Sequence, residues 1–297
     1  MSLNPSAMAH VESYKRGILI AALGMVILSP DGLLLRLVED ASIWTVIFYR
    51  TTFMGLSLCL YLAFLHRSKL VQYFRHMGRA GVLSMILLAT ANLGFVGAIF
   101  NTSVANVLVI LATLPLFGAV LGWFIIGEAV TPRTWVSILC AIVGIGIIFS
   151  GSIGGGYWVG DLLAAGTAFL QGLNLVVIRK AKERDILLPA LCLSGFLAGL
   201  VVLPMAEPLT ITGHDLAVLS ILGLVIAPLA LGLFLNGARH APAAEVGLLA
   251  LIETVLGPLW AWIGVGEEPA TLSLIGGAVV IVAVGFNSWL GMRRSRR

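Results

Sequence analysis

Charge is scarce in this 297-residue chain: Asp, Glu, Lys and Arg together make up 11% of it, 59% is hydrophobic, and the mean hydropathy is +1.04. Soluble domains carry about a quarter charged residues, so this composition excludes one and calls for a polytopic membrane protein. Cysteine is nearly absent. Cys59, Cys140 and Cys192 each sit in an apolar run with no short spacing between them, which suggests neither a disulfide framework nor a zinc site. No metal or other cofactor is expected. There is no Walker loop, no HExxH, no GxSxG elbow and no Ser/His/Asp set, and the segments between apolar runs are too short for a catalytic domain; an enzyme is not expected. The net charge of +4 does not argue for nucleic acid, because the basic residues lie in short clusters between apolar runs, where they serve topology.

What the chain has instead is a succession of apolar runs, at 17–38, 43–65, 78–99, 103–126, 133–151, 158–179, 187–206, 215–236, 242–265 and 271–291. Each is near the roughly 20 residues that cross ~30 Å of hydrocarbon, so ten transmembrane helices are predicted. The first run is long enough to span and no small-residue cleavage site follows it cleanly, which argues against a removed signal peptide. Thr131-Pro132 and Glu268-Pro269 each set a capping side chain ahead of a proline and mark two helix starts. The Gly-rich segment 152–157 reads as the linker between two halves, 17–151 and 158–291, flanked by an N-terminal segment 1–16 and a basic tail 292–297. With ten spans numbered, sixteen of the eighteen Lys and Arg residues fall at one set of ends, including Lys15, Arg16, Arg67, Lys69, Arg75, Arg79, Arg133, Arg179, Lys182 and the terminal arginines. Arg36 alone lies at the opposite ends and Arg50 lies inside a span. Short cytoplasmic loops retain positive charge, so both termini are predicted to be cytoplasmic.

The two halves repeat. A shift of 143 aligns Gly17, Leu19, Ala21, Ala22 and Arg36 with Gly160, Leu162, Ala164, Ala165 and Arg179. A shift of 139 aligns Ala105, Val107, Gly118, Trp123, Gly127 and Glu128 with Ala244, Val246, Gly257, Trp262, Gly266 and Glu267. Five spans per half is an odd number, so the second copy enters the membrane from the other side and the halves are related by a pseudo-twofold in the membrane plane. Five-plus-five spans, with the fourth span of each half closing in Gly-Glu, resemble the drug/metabolite transporter superfamily. Within it the chain is most similar to the ten-helix EamA-type metabolite exporters, a group that includes bacterial amino-acid exporters. The resemblance implies an all-α membrane protein of two inverted five-helix repeats around a central cavity, exporting small metabolites without nucleotide hydrolysis.

Candidate site residues are polar groups at membrane depth. Glu253 lies about 16 Å along its helix from Pro242, near the midplane where inverted-repeat transporters hold substrate. Placing a charge there costs roughly 2.5–3.5 kcal/mol on insertion scales, which marks it as functional by default; the alternative is a neutral packing residue. Glu253 is expected to bind a substrate amine or to exchange protons with it, with hydrogen bonds to the substrate from Asn92, Gln171 and Asn174. Trp260, seven residues on, shares its face and could stack on an aromatic substrate or anchor in the interface. Thr167, Gln171 and Asn174 share a face of the sixth span, Ser103, Asn106 and Thr113 a face of the fourth, and Ser84 and Asn92 a face of the third. Such groups either contact substrate or join helix to helix. Asp31 lies roughly 21 Å from the start of the first span and Arg50 about 12 Å from the outer start of the second, at nearly one level, so an ion pair with a gating or a structural role is expected. The spacings Gly118-x3-Gly122 and Gly195-x3-Gly199 mark close-packing faces, and Pro30, Pro115, Pro228 and Pro258 mark bending points.

The leading expectation is therefore a secondary transporter of the bacterial inner membrane that exports small metabolites, amino acids in particular, by alternating access. Its partners are a small-molecule substrate, the bilayer and protons, with no nucleic acid. Multidrug efflux, with Glu253 neutralising a lipophilic cation, is the alternative; a lipid-modifying enzyme or a channel stays open at the margin. Saturable flux separates a carrier from a channel.

Overall fold

The computed structural model describes residues 5–181, 186–238 and 243–295. Lys182, Arg184, Arg239, Arg296 and Arg297 from the charge count, and Pro242, lie outside the described residues. All regular structure among the described residues is helical. Among the described residues, nine segments are long and apolar enough to cross a membrane: Arg16–Arg36, Ile43–His66, Gly78–Asn101, Val104–Ile126, Pro132–Ile153, Trp158–Lys180, Gly213–Phe234, Leu248–Val265 and Thr271–Trp289. Leu187–Val202, a 16-residue apolar helix, takes the seventh place and completes the ten. At a rise of 1.5 Å it is about 24 Å long, and Leu203, Met205 and Ala206 continue it as a turn whose N–H groups return to Gly199 and Val202.

Packing follows the repeat. The third span packs on the sixth, and its counterpart, the eighth, packs on the first; the fourth packs on the sixth and the ninth on the first; the third packs on the seventh and the eighth on the second. The second–seventh and fifth–tenth pairs map onto themselves, so the pseudo-twofold runs between them. Both self-paired contacts are made at glycine. A Cβ on Gly144 would stand 2.8 Å from the Gly276 carbonyl oxygen, and one on Gly195 would stand 3.0 Å from the Cα of Gly55. Without a hydrophobic drive between helices in lipid, backbones gain most by such close approach. Gly118 likewise meets Gly172 across the fourth–sixth contact.

The buried core is aliphatic and central, with Val46, Ile47, Ile99, Val104, Ile110, Leu219 and Val280 at most 1% exposed. The outward surface is apolar too: Phe64, Phe124, Ile263 and Val282 are all more than two-thirds exposed. That arrangement suits a protein whose solvent is hydrocarbon. Trp44 and Trp158 stand exposed at one end of the bundle and Trp135 and Trp289 at the other, as interfacial aromatics do.

Several spans are interrupted. The first breaks at Ser29-Pro30, between helices Pro5–Leu28 and Asp31–Arg36. The fourth breaks at Ala112-Thr113, just before Pro115, and the eighth carries a π-helical stretch, Ile221–Ile226, just before Pro228. Pro258 lies within a continuous helix. Each of the first three prolines lacks the N–H that would close the preceding turn, and local adjustment satisfies the freed carbonyls. The fifth helix runs through Gly155, so residues 152–155 are its last turn, and the bend falls on Gly156, at φ +77°, and Tyr157. The last span begins at Thr271, two residues beyond Pro269, so Glu268 does not cap it. The proline N1 at Pro132 is as expected, but Thr131 turns its hydroxyl to Thr134 Oγ1 instead of to the backbone.

Candidate functional site

The break at Ser29-Pro30 delivers Asp31 to the first turn of a short helix, where it is 3% exposed and facing the second span. Arg50, 6% exposed, meets it in a forked contact: Nη2 donates to Oδ2 at 2.8 Å and Nε to Oδ1 at 3.4 Å. Arg50 Nη1 donates to Asn92 Oδ1 at 3.3 Å, and the guanidinium stands 5.2 Å from the centre of the Phe95 ring. Asn92 completes its own bonding by donating to the Leu88 carbonyl. Two charges separated by nineteen residues thus form one buried unit spanning three helices.

Glu253 belongs to the same place. Its carboxylate interacts electrostatically with both Asp31 and Arg50, so the two charged constellations of the sequence converge. Trp260, on the same helix, donates from Nε1 to Ser29 Oγ at 2.9 Å, tying the ninth span to the break that positions Asp31. Its ring remains 38% exposed. The side chains of Glu253 and Gln171, both partly buried, make no hydrogen bond among the described residues. Asn174 is brought to a different partner, accepting from Ser84 Oγ and joining the sixth span to the third. Thr167 donates back to the Leu163 carbonyl of its own helix and Thr113 to Ile110, which leaves these hydroxyls satisfied locally.

The Gly-Glu ends of the two repeats are built alike. Gly127 and Gly266 take left-handed φ of +71° and +68°, which only glycine adopts without strain. The following N–H returns to a carbonyl six residues back, Glu128 to Gly122 and Glu267 to Ala261. Each turn then aims its glutamate at the arginine of the other repeat: Glu128 Oε2 lies 2.9 Å from Arg179 Nη1, and Glu267 Oε2 lies 2.7 Å from Arg36 Nε. Arg36 and Arg179 are the residues equated by the first shift, and Glu128 and Glu267 by the second. The pairs are therefore symmetry mates at opposite ends of the bundle.

They differ in strength. At the end with many basic residues, Glu128 and Arg179 have side chains 46% and 45% exposed, and such a pair contributes roughly 0–1 kcal/mol. At the far end the pair is 22% and 25% exposed and has backbone support: Arg36 Nη2 donates to the Thr102 carbonyl at 2.7 Å, and the Val104 N–H donates to Glu267 Oε1 at 2.6 Å. Hydrogen bonds to charged groups contribute about 1.5–3 kcal/mol each, so the far end is the more firmly closed.

Two carboxylates at the far end carry no signal in the sequence. Asp215 accepts from the N–H groups of Glu39, Asp40 and Ala41 at 2.9–3.1 Å and clamps the connection between the first two spans. Asp161, 0% exposed, accepts at Oδ1 from Thr102 Oγ1 at 2.7 Å and Asn106 Nδ2 at 2.9 Å. Both sit near span ends where an acid reads as interfacial; only the neighbouring helices bury them.

Comparison with known proteins gives three findings. The EamA-like transporter family matches the chain twice, over residues 15–150 and 158–289. A solved crystal structure, described only as that of a protein, matches with a TM-score of 0.67 at 16% identity, covering 92% of this chain and 97% of that one. At that identity the likeness concerns the fold. No curated protein sequence matches significantly.

Proposed function

The chain belongs to the EamA-like transporter family, and from that premise we propose that it is a secondary transporter of the bacterial inner membrane, exporting small amine-bearing metabolites, amino acids in particular, by alternating access. The basic end is taken as cytoplasmic on the positive-inside bias, which puts both termini there. No chemical conversion of the substrate is part of this reading. The observation that carries it is the Glu253 carboxylate, without a hydrogen-bond partner among the described residues and beside a fully paired Asp31–Arg50 unit. A substrate ammonium, or a proton in its absence, is the charge that Glu253 lacks. The Gln171 amide, likewise without a partner among the described residues, would donate to the substrate's carboxylate. Asn92 lies against Arg50, and Asn174 lies three residues beyond Gln171 on the sixth span. Asn92 is held at both ends, its Oδ1 accepting from Arg50 and its Nδ2 donating to the Leu88 carbonyl, whereas Asn174 is held only at Oδ1, by Ser84, so its amide nitrogen can serve the substrate without any bond exchanging.

Alternation is supported by the two cross-repeat ion pairs. Glu267–Arg36 closes the outer end while its mate Glu128–Arg179 stands exposed at the cytoplasmic end, as expected of an inward-open member of an exchanging pair. Efflux of lipophilic cations remains a second reading, favoured by the exposed Trp260 ring on the Glu253 helix, since a carboxylate with an aromatic face suits such a cation. Counterflow in proteoliposomes with a panel of labelled amino acids and cationic dyes decides between them. Saturable amino-acid counterflow that Glu253→Gln abolishes, together with its pH dependence, is the expected result. If that variant inserts, folds and exports at the unmodified rate, Glu253 is structural and the site assignment fails.

A further inference from the structure

Beneath the Arg36–Glu267 pair lies a second polar centre distinct from the Glu253 site. Asp161 is wholly buried, with Thr102 2%, Asn106 and Ser152 4% and Ser273 6% exposed around it. Asn106 Nδ2 faces three oxygens, Thr102 Oγ1 at 3.1 Å, Ser152 Oγ at 3.0 Å and Asp161 Oδ1 at 2.9 Å, yet an amide nitrogen has only two hydrogens. Ser273 Oγ donates to Asn106 Oδ1. The cluster is thus rich in acceptors and short of positive charge. Asp161 Oδ2 is buried with no partner among the described residues. The charged groups that reach this centre are Arg36, at the Thr102 carbonyl, and Glu267, at the Val104 N–H, and they neutralise each other. A carboxylate buried from water without a cation is strongly disfavoured.

We propose that the free Oδ2 of Asp161 binds a small monovalent cation, H⁺ or Na⁺, in a site that exists only while the outer end of the bundle is closed. The network that encloses Asp161 is drawn from the third-to-fourth connection (Thr102), the fourth span (Asn106), the end of the fifth helix (Ser152), the sixth span (Asp161) and the tenth (Ser273). Separating these elements dismantles it. Thr102 links the two layers, its carbonyl held by Arg36 and its hydroxyl by Asp161. Cation occupancy therefore favours the outer-closed state, and opening outward releases the cation to that side. This goes beyond the export reading, because it assigns a cation to a place separate from the substrate carboxylate.

The test is thermal unfolding of the purified full chain in detergent, in NaCl against choline chloride at constant ionic strength and across pH 5.5 to 7.5. It needs no transport assay, so its outcome is independent of whether amino acids are exported. A ligand that binds only the folded state raises the midpoint with its concentration. A sodium-dependent rise lost in Asp161→Asn identifies Na⁺; a rise on acidification lost in Asp161→Asn and kept in Glu253→Gln identifies H⁺. A wild-type midpoint insensitive to both, or an Asp161→Asn response equal to wild type, overturns the proposal. If Asp161→Asn does not fold, Ser273→Ala, which strips the donor from Asn106, is expected to shift the half-maximal cation concentration, and an unchanged value overturns it equally.

Discussion

Replacing Arg50 by Met leaves the Asp31 carboxylate, 3% exposed, with no cation beside it. Breaking a buried pair by removing one partner costs about 3–5 kcal/mol, because the survivor's charge is left uncompensated. Asp31→Asn is the milder change, since Arg50 keeps its bond to Asn92 and its place against Phe95. The cation–π contact alone retains roughly 0.5–2 kcal/mol of stabilisation. The double variant carries neither charge and is expected to be more stable than the sum of the single losses by about 2 kcal/mol, within the usual range for residues in one network. Unfolding free energies of the four proteins in mixed micelles, by SDS titration, measure the cycle. Single losses that add to within about 0.5 kcal/mol would refute the coupling, and an Asp31→Asn loss larger than that of Arg50→Met would refute the role assigned to Asn92 and Phe95.

The cross-repeat pairs predict unequal effects in a background lacking the three native cysteines. With a reporter at Val104→Cys, 0% exposed at the far end, Arg36→Ala is expected to raise labelling from outside at least tenfold, while Arg179→Ala leaves it unchanged; equal effects of the two would show that the far end is not the firmer closure. Gly144→Ala pushes a methyl against the Gly276 carbonyl and is expected to cost about 1–3 kcal/mol, whereas Gly146→Ala, with nothing within 4 Å, is expected to be neutral in the same unfolding assay. A single cysteine at Arg67 is expected to react only with reagents admitted to the cytoplasmic side; labelling from outside would reverse the orientation.

The scaffold was legible because membrane physics leaves few options. Runs of about 20 apolar residues must be helices, and the Lys and Arg bias fixes which ends share a side. The shift that equates Glu128 with Glu267 and Arg36 with Arg179 is a local pattern, and it survives as symmetric structure. Asp31 and Arg50 could be paired from helical rise alone, since depth in a bilayer is a one-dimensional quantity that residue numbers report. Helix ends were less legible: Pro269 lies ahead of the last span instead of opening it, and the first N–H to return reaches the Ala270 carbonyl from Leu274.

Lateral position is what residue numbers do not report, and it decided the rest. Asn174 and Asp31 occupy equivalent positions by sequence, yet one meets Ser84 and the other Arg50, because different helices face them. That Glu267 reaches Arg36 and Glu128 reaches Arg179 follows from the exchange of partners between repeats, a consequence of the twofold and of no single stretch of chain. Asp161 makes the division plainest. By itself it is an acid four residues into a helix that opens with Trp158, an interfacial residue like many others; only the closure of four neighbouring segments over it removes water, and with water gone its unpaired oxygen acquires a meaning. The sequence by itself determined how deep each group lies and which face of its helix it takes; the tertiary structure alone decided which helices stand side by side at that depth, and therefore which charges are left without a partner.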